Sequence, residues 1–293
     1  MIEQVRSFNR TVMQRIGALN DGFLGRRRPL GEARLLWEIG PEGSELRSLR
    51  SRLDLDSGYV SRLLRSLQDD GLVTVAPSEA DRRTRTARLT KRGLAERDVL
   101  EHRSDDVARS FLEPLTQTQQ ARLVTAMRDV ERLLTAALVE IKPLDPTHPD
   151  ARLCIAAYFA ELDRRSDTGF DPSAGISAEP HELTPPAGAM LVAYLRSEPV
   201  GCGAVKHHGA APSEIKRMWV AEHARGLGIA KRLLAELEAL AIRSGARAAR
   251  LETNRALTEA IAMYRAAGYV EVPAFNDEPF AHHWFEKDLI RCA

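Results

Sequence analysis

Arg225–Gly226–Leu227–Gly228–Ile229–Ala230 is the stretch of this chain with the most specific chemistry in it. Two glycines stand where a strand-like apolar run, 213–220, gives way to a helical one. Glycine at such a junction has two readings. One is a tight turn that needs conformational freedom. The other is bare backbone whose N–H groups, at the positive end of a helix, reach an anion. A second cluster lies earlier: from Arg82 to Arg92 there are six basic residues and no acid, which suggests an anionic partner. Upstream of it, "DSGYVSRLLRSLQDDG" places Val60, Leu63, Leu64 and Leu67 at i, i+3, i+4 and i+7 of a helix closed by Gly71. The opposite face then shows Ser57, Tyr59, Ser61, Arg62 and Arg65, donors suited to base edges and phosphates in a major groove.

These residues need elements to position them. At 293 residues the chain has room for two ordinary domains, and its 44% apolar and 28% charged content is that of a globular protein. Its apolar runs are far short of a membrane span and its N-terminus lacks a hydrophobic signal segment, so the expected location is cytoplasmic, with no membrane partner. Cys154, Cys202 and Cys292 are too few and scattered for a disulfide framework or a zinc site. Up to about residue 140 the pattern is helix after helix: 31–40, 44–53, the helix of 57–70, a strand at 72–75, a second at 83–90, then helices from Thr90 to about Phe111 and from "TQTQ" (116–119) onward. The last carries Leu123, Met127, Val130, Leu134 and Leu138 as one stripe, long enough to suggest a partner surface. After the proline-rich "IKPLDPTHPD" (141–150) the texture changes. A helix at 151–165 and a loop-like 166–188 lead to strands at 189–195, 199–206 and 213–220. Helix 227–243, strand 249–253, helix 256–267 and strands near 270–274 and 281–288 follow, a mixed pattern that argues an α/β sheet domain.

Three short helices and a two-stranded ribbon make a winged helix-turn-helix, and here the chain resembles the MarR family of regulators over about 1–140. The likeness rests on "LDLDSGYVSRLLRSLQDDGLV" and the wing "SEADRRTRTARLT", with Asp81–Arg82–Arg83 matching the family's Asp-x-Arg wing signature. The resemblance implies double-stranded DNA as a partner, with Arg82, Arg83 and Arg85 of the wing on phosphates or in a minor groove beside the helix face named above. It also implies a homodimer built by terminal helices from both ends of the domain.

The glycine stretch resembles the pyrophosphate loop of the GNAT acyltransferases, Arg/Gln-x-x-Gly-x-Gly/Ala, and the likeness extends over roughly 141–293 through "LETN" (251–254) and "AIAMYRAAGY" (260–269). What the resemblance implies is an α/β, or α+β, fold with a central mixed sheet and acetyl-CoA as co-substrate. Amides from Arg225 and Gly226 through Leu227, Gly228 and Ile229 to Ala230 would hold the pyrophosphate. Backbone groups of Met218, Trp219 and Val220 would pair with the pantetheine arm as with an added strand. Asn254 matches a position whose side chain contacts the cofactor, and Tyr264 the general acid that protonates the departing CoA thiolate. For the general base, Glu214 on the strand before the loop comes first and Glu252 second, with a water as a further alternative. "FNDEPFAHHWFEK" (275–287) lies where this fold shapes the acceptor side, so Asn276, His282 and His283 are candidates for substrate contact. No metal is expected, since adjacent histidines on a strand point to opposite faces.

The expectation is therefore a fused protein: residues 1–140 a DNA-binding and dimerising domain, 141–293 an N-acetyltransferase acting on the amine of a small molecule. The alternative is a transcription factor whose C-terminal domain senses acetyl-CoA or a metabolite without turnover.

Overall fold

The apolar face of Ser57–Asp69 does bury as the periodicity predicts: Val60, Leu63, Leu64 and Leu67 are all below 9% exposed. In the computed structural model, which describes residues 1–17, 23–25, 28–77, 84–166, 169–172, 174–176 and 178–290, that helix sits at the centre of a mainly helical unit. The elements in order are α1 (Ile2–Arg15), α2 (Leu30–Ile39), β1 (Ser44–Glu45), α3 (Leu46–Leu53), α4 (Ser57–Asp69), β2 (Val73–Pro77), β3 (Arg85–Leu89), α5 (Lys91–Leu112) and α6 (Gln117–Ala136). β1, β3 and β2 form one small antiparallel sheet, so the wing gains a third, two-residue strand beyond the two expected.

Side chains cap α4, α5 and α6 where those helices begin. Asp56 accepts the Tyr59 N–H at 2.8 Å at the head of α4, and Thr90 accepts that of Gly93 at 3.1 Å at the head of α5. Thr116 and Gln119 bond reciprocally before α6, the capping box read from "TQTQ". Gly93 is required by close approach: a Cβ there would lie 2.1 Å from the Leu72 carbonyl oxygen, so α5 packs directly on the chain entering β2. Buried Glu32 on α2 accepts from Arg28 and from Ser66 of α4, both at 2.7 Å, which fixes α4 against α2.

Contacts divide the chain into two compact units, Met1–Met127 and Arg128–Ala293. In the second unit the order is β4 (Val139–Leu144), α7 (Pro149–Arg165), β5 (Gly188–Leu195), β6 (Glu198–His208), β7 (Ala211–Val220), α8 (Ile229–Arg243), β8 (Ala248–Thr253), α9 (Thr258–Ala266), β9 (Val270–Val272) and β10 (His283–Asp288). They build a sheet in the order β4-β5-β6-β7-β8-β10-β9, antiparallel everywhere except between β7 and β8. α8 covers one face through Ile229, Leu233, Leu234 and Leu237, and the core there includes Leu251, Ile261 and Phe285. A second cluster, with Ala151 and Cys154 of α7 and Met190, Val192 and Cys202 of the sheet, fills the other face. A mixed α/β sheet follows, covered on both sides.

One correction concerns the start of this unit. Residues 141–150 read as a proline-rich stretch, yet 139–144 is a strand, and a boundary drawn at 140 falls inside it. Pro143 hid the strand. At a sheet edge its missing N–H costs nothing, and Val139 still turns inward. Among the described residues no helix is long and apolar enough to cross a membrane.

Candidate functional site

β7 and β8 pair only at Ser213–Ala249 and Glu214–Arg250, and then part. From Ile215 to Val220 the edge of β7 that faces β8 therefore has no strand partner, and the cleft opens there. β7 also carries an extra residue opposite β6 between Cys202 and Ala204, where Arg217 takes a left-handed backbone (φ 56°). The strand leads through a short turn into the glycine loop. Gly226 (φ 82°) and Gly228 (φ 77°) both lie in the region that favours glycine, and a Cβ on either would meet no heavy atom within 4 Å. Both readings of the loop thus hold at once: the backbone demands glycine, and the missing side chains leave its surface open. Among the described residues the main-chain N–H groups from Gly226 to Lys231 make no hydrogen bond. They stand free at the positive end of α8.

Two cavities meet along this cleft. The larger, about 340 Å³, runs beside the loop and is walled by Met218, Trp219, Val220, Arg225, Gly226 and Ala230 from one side and Met263 and Tyr264 of α9 from the other. The smaller, about 110 Å³, is walled by Phe159, Phe170, Lys216, Arg217, Glu252, Asn254 and Phe280, among others. Tyr158, Leu162, Met218, Leu257, Ala260 and Tyr264 line both. Tyr264 is only 5% exposed, its ring edge-on to Tyr269 at 5.9 Å and tilted to Phe285 at 6.3 Å. Burial pushes its phenol well above the ordinary tyrosine value, and Tyr158 and Glu252 push it further, so it stays protonated at any physiological pH.

A residue that sequence reasoning missed organises the larger cavity. Glu161 of α7, 8% exposed, accepts from Arg225 at 2.6 and 2.7 Å, from the Trp219 indole at 2.9 Å and from Arg165 at 3.2 Å. Arg165 goes on to Glu259 and the Ala256 carbonyl, both at 2.8 Å, at the head of α9. One buried carboxylate thus ties α7, β7, the glycine loop and, through Arg165, α9. The i, i+4 spacing of Glu161 and Arg165 was the available signal, but it reads as an ordinary surface pair.

The other sequence candidates divide. Asn254 lines the smaller cavity while spending its side chain on local structure: its amide donates to the Phe280 carbonyl at 2.9 Å and its oxygen accepts from the Ala256 N–H at 2.9 Å. Val220 offers its carbonyl to Arg225 at 3.1 Å. Glu214 lines neither cavity. Arg250 holds it at 2.6 Å, with Lys216 at 3.5 Å and His208 at 3.4 Å. Burial raises its carboxyl, but these cations outweigh burial and hold it below the ordinary glutamate value, the wrong direction for a base. Glu252 is on the cavity wall, paired through Oε1 with Lys216. Asn276, His282 and His283 line neither cavity. Asn276 accepts from the Trp284 indole at 2.8 Å, His283 pairs with Glu271 at 2.6 Å, and the main-chain N–H of His282 donates to Thr253. The wall they were expected to form comes from Phe159, Phe170, Glu278 and Phe280. Among the described residues no group of His, Cys, Asp or Glu is placed to hold a metal.

In the first unit Ser57, Tyr59, Ser61, Arg62 and Arg65 are all exposed on one side of α4, as the stripe on its other side requires. Arg62 lies over the Tyr59 ring at 5.5 Å. Arg85 is exposed at the start of β3; Asp81, Arg82 and Arg83 lie outside the described residues.

The MarR family model matches residues 28–84, and the Acetyltransferase (GNAT) domain model matches 186–271. An IAA acetyltransferase of Azospirillum brasilense is 34% identical over 123 residues, 42% of this chain and 80% of that protein. Among solved structures, a GNAT-family acetyltransferase from Staphylococcus aureus is 16% identical, covering 52% of this chain and 99% of its own, with a TM-score of 0.44. Streptococcus pneumoniae FabT, solved in complex with DNA, is 16% identical, covering 46% of this chain and 97% of its own, with a TM-score of 0.41. The chain belongs to the GNAT acetyltransferases through its C-terminal unit, and carries a MarR-family winged helix-turn-helix ahead of it.

Proposed function

We propose that this protein is both a cytoplasmic transcriptional regulator and an enzyme, with DNA binding in the part of the chain ahead of β4 and, from β4 onward, transfer of an acetyl group from acetyl-CoA to the amine of a small molecule. The observation that carries the enzymatic reading is the meeting, in one cleft, of the free N–H groups of the glycine loop with the phenol of Tyr264. The cradle fits the co-substrate: the loop's open backbone suits a pyrophosphate, and the unpaired edge of β7 at Met218, Trp219 and Val220 suits an amide-bearing arm. When bound, acetyl-CoA supplies an activated acyl carbon as its thioester. Glu252, rather than Glu214, takes the proton from the attacking amine, directly or through one water. Tyr264 gives its proton to the sulfur as the thiolate leaves. Glu161 is a positioning residue, holding Arg225 and Trp219 in place around the cavity. Release of CoA thiol by the full chain against a panel of amines, with a band shift on the protein's own promoter, tests both halves. Acetyl-CoA binding by calorimetry with no amine accepted would favour the sensor instead.

Two expected results belong to the DNA half. Arg62→Ala should weaken duplex binding by about 1–3 kcal/mol while acetyl-CoA affinity stays unchanged, and wild-type affinity should fall steeply with salt as phosphate contacts release counterions. Affinity flat from low to high salt would exclude DNA as the partner. The second concerns assembly. α1 and α6 bury no residue, and they expose Val5, Phe8, Met127, Leu133 and Leu134. Apolar helix faces of this kind suit homodimer contacts. Sedimentation equilibrium should give twice the chain mass, falling to one for Phe8→Asp combined with Leu134→Asp.

A further inference from the structure

The smaller cavity is aromatic on one side and ionic on the other. Phe159 stacks on Phe170 at 5.6 Å between centroids, Phe170 meets Phe280 at 4.7 Å, and Tyr158 lies 5.5 Å from Phe159. On the ionic side Arg217, Glu278 and Lys216 each have a partner in the protein. Arg217 donates to the Ala178 carbonyl at 2.8 Å and lies 4.8 Å over the Phe159 ring. Glu278 accepts the Ile176 N–H at 2.6 Å. Lys216 is held between Glu252 Oε1 and Glu214. Glu252 Oε2 is a buried acceptor on this wall that has no hydrogen-bond partner among the described residues, although its side chain is only 10% exposed. A buried carboxylate oxygen without a donor leaves its desolvation uncompensated, and a ligand N–H would supply what is missing.

From this juxtaposition we infer that the acceptor is a primary amine carried by a single aromatic ring, with its nitrogen at Glu252 and its ring against Phe159, Phe170 and Phe280. The proposal rests on the acetyltransferase reading and gives it a substrate class. The volume agrees, since about 110 Å³ is of the order of the ~150 Å³ cavity that takes up a benzene ring. In the reaction the amine nitrogen bonds to the acyl carbon and the C–S bond breaks. One amine proton passes to Glu252, and the thiolate takes its proton from Tyr264, leaving an N-acetyl amine and CoA thiol.

The test compares 2-phenylethylamine, propylamine, spermidine, L-phenylalanine and a lysine-containing peptide on the full chain with acetyl-CoA. The expected order puts the two aromatic amines first, with kcat/KM for 2-phenylethylamine at least about 10²-fold above propylamine. Phe280→Ala should shrink that ratio at least about tenfold, and a ratio is unaffected by any loss of folded protein. Calorimetry with CoA present should show 2-phenylethylamine binding that Glu252→Gln weakens. Preference for propylamine, spermidine or the peptide over the two aromatic amines, or a ratio unchanged in Phe280→Ala, would overturn the assignment. If no amine is acetylated, the enzymatic reading fails separately: 2-phenylethylamine binding by calorimetry would still uphold the cavity's ligand class, and its absence would overturn that too.

Discussion

Gly228→Asp should lower acetyl-CoA affinity by about 10²–10³-fold while leaving the fold and DNA binding in place. The side chain would enter a space that holds no heavy atom within 4 Å of the new Cβ, so no clash with the protein accompanies it. What it meets is the pyrophosphate. Like charges about 4 Å apart near a protein surface repel by ~4 kcal/mol, and each ~1.4 kcal/mol is tenfold in affinity. The φ of 77° adds strain for any side chain, which complicates a single substitution. Gly228→Asn separates the two effects, because asparagine and aspartate both tolerate the left-handed region and differ in charge. Calorimetry should rank wild type first, the asparagine variant within about tenfold of it, and the aspartate variant far behind. Equal losses for the two would mean that the loop serves the backbone alone and that no anion rests on it.

Much of this loop was legible because its signals are local. An apolar run, two glycines and an amphipathic helix follow one another between 213 and 243, and each acts on its neighbours. The α4 face was legible for the same reason, since four buried side chains at helical spacing fix where Ser61, Arg62 and Arg65 must point. The acceptor wall was not. Phe280 lies more than a hundred residues beyond Phe159 and Phe170, and only the return of the segments after α7 and before β10 brings the three rings together. The choice between the two glutamates failed on geometry as well. Glu214 and Arg250 are partners in the last pair before β7 and β8 part, and Glu252 lies two residues further on. At about 3.3 Å per residue that step carries the side chain, on the same face of the sheet, ~6.6 Å along β8 into the opening. Period-two alternation puts both glutamates on one face but says nothing about where two strands diverge. Glu161 was invisible for a related reason: its partners Trp219 and Arg225 come from β7 and the loop, more than fifty residues away in sequence.

Tyr264→Phe should cut turnover by about 10²–10⁴-fold and leave the acetyl-CoA dissociation constant nearly unchanged. The ring would keep its packing on Tyr269 and Phe285, so folding has little to lose. Only the hydroxyl goes, and among the described residues no hydrogen bond of that hydroxyl holds the fold together. Its value lies in the moment when negative charge collects on sulfur, which is why the loss should fall on kcat and not on ground-state binding. The pH profile gives a second, independent reading. A phenol raised by burial remains a proton donor through the range where an exposed tyrosine would ionise, so the alkaline limb of wild-type kcat should show no fall near pH 10 from this group. A fall there that vanishes in the phenylalanine variant would mean that Tyr264 is solvated when it works, against its burial. Steady-state rates for both proteins, with the amine that the panel ranks first, measure all of this in one series. Equal turnover would remove Tyr264 from the chemistry and leave water as the donor.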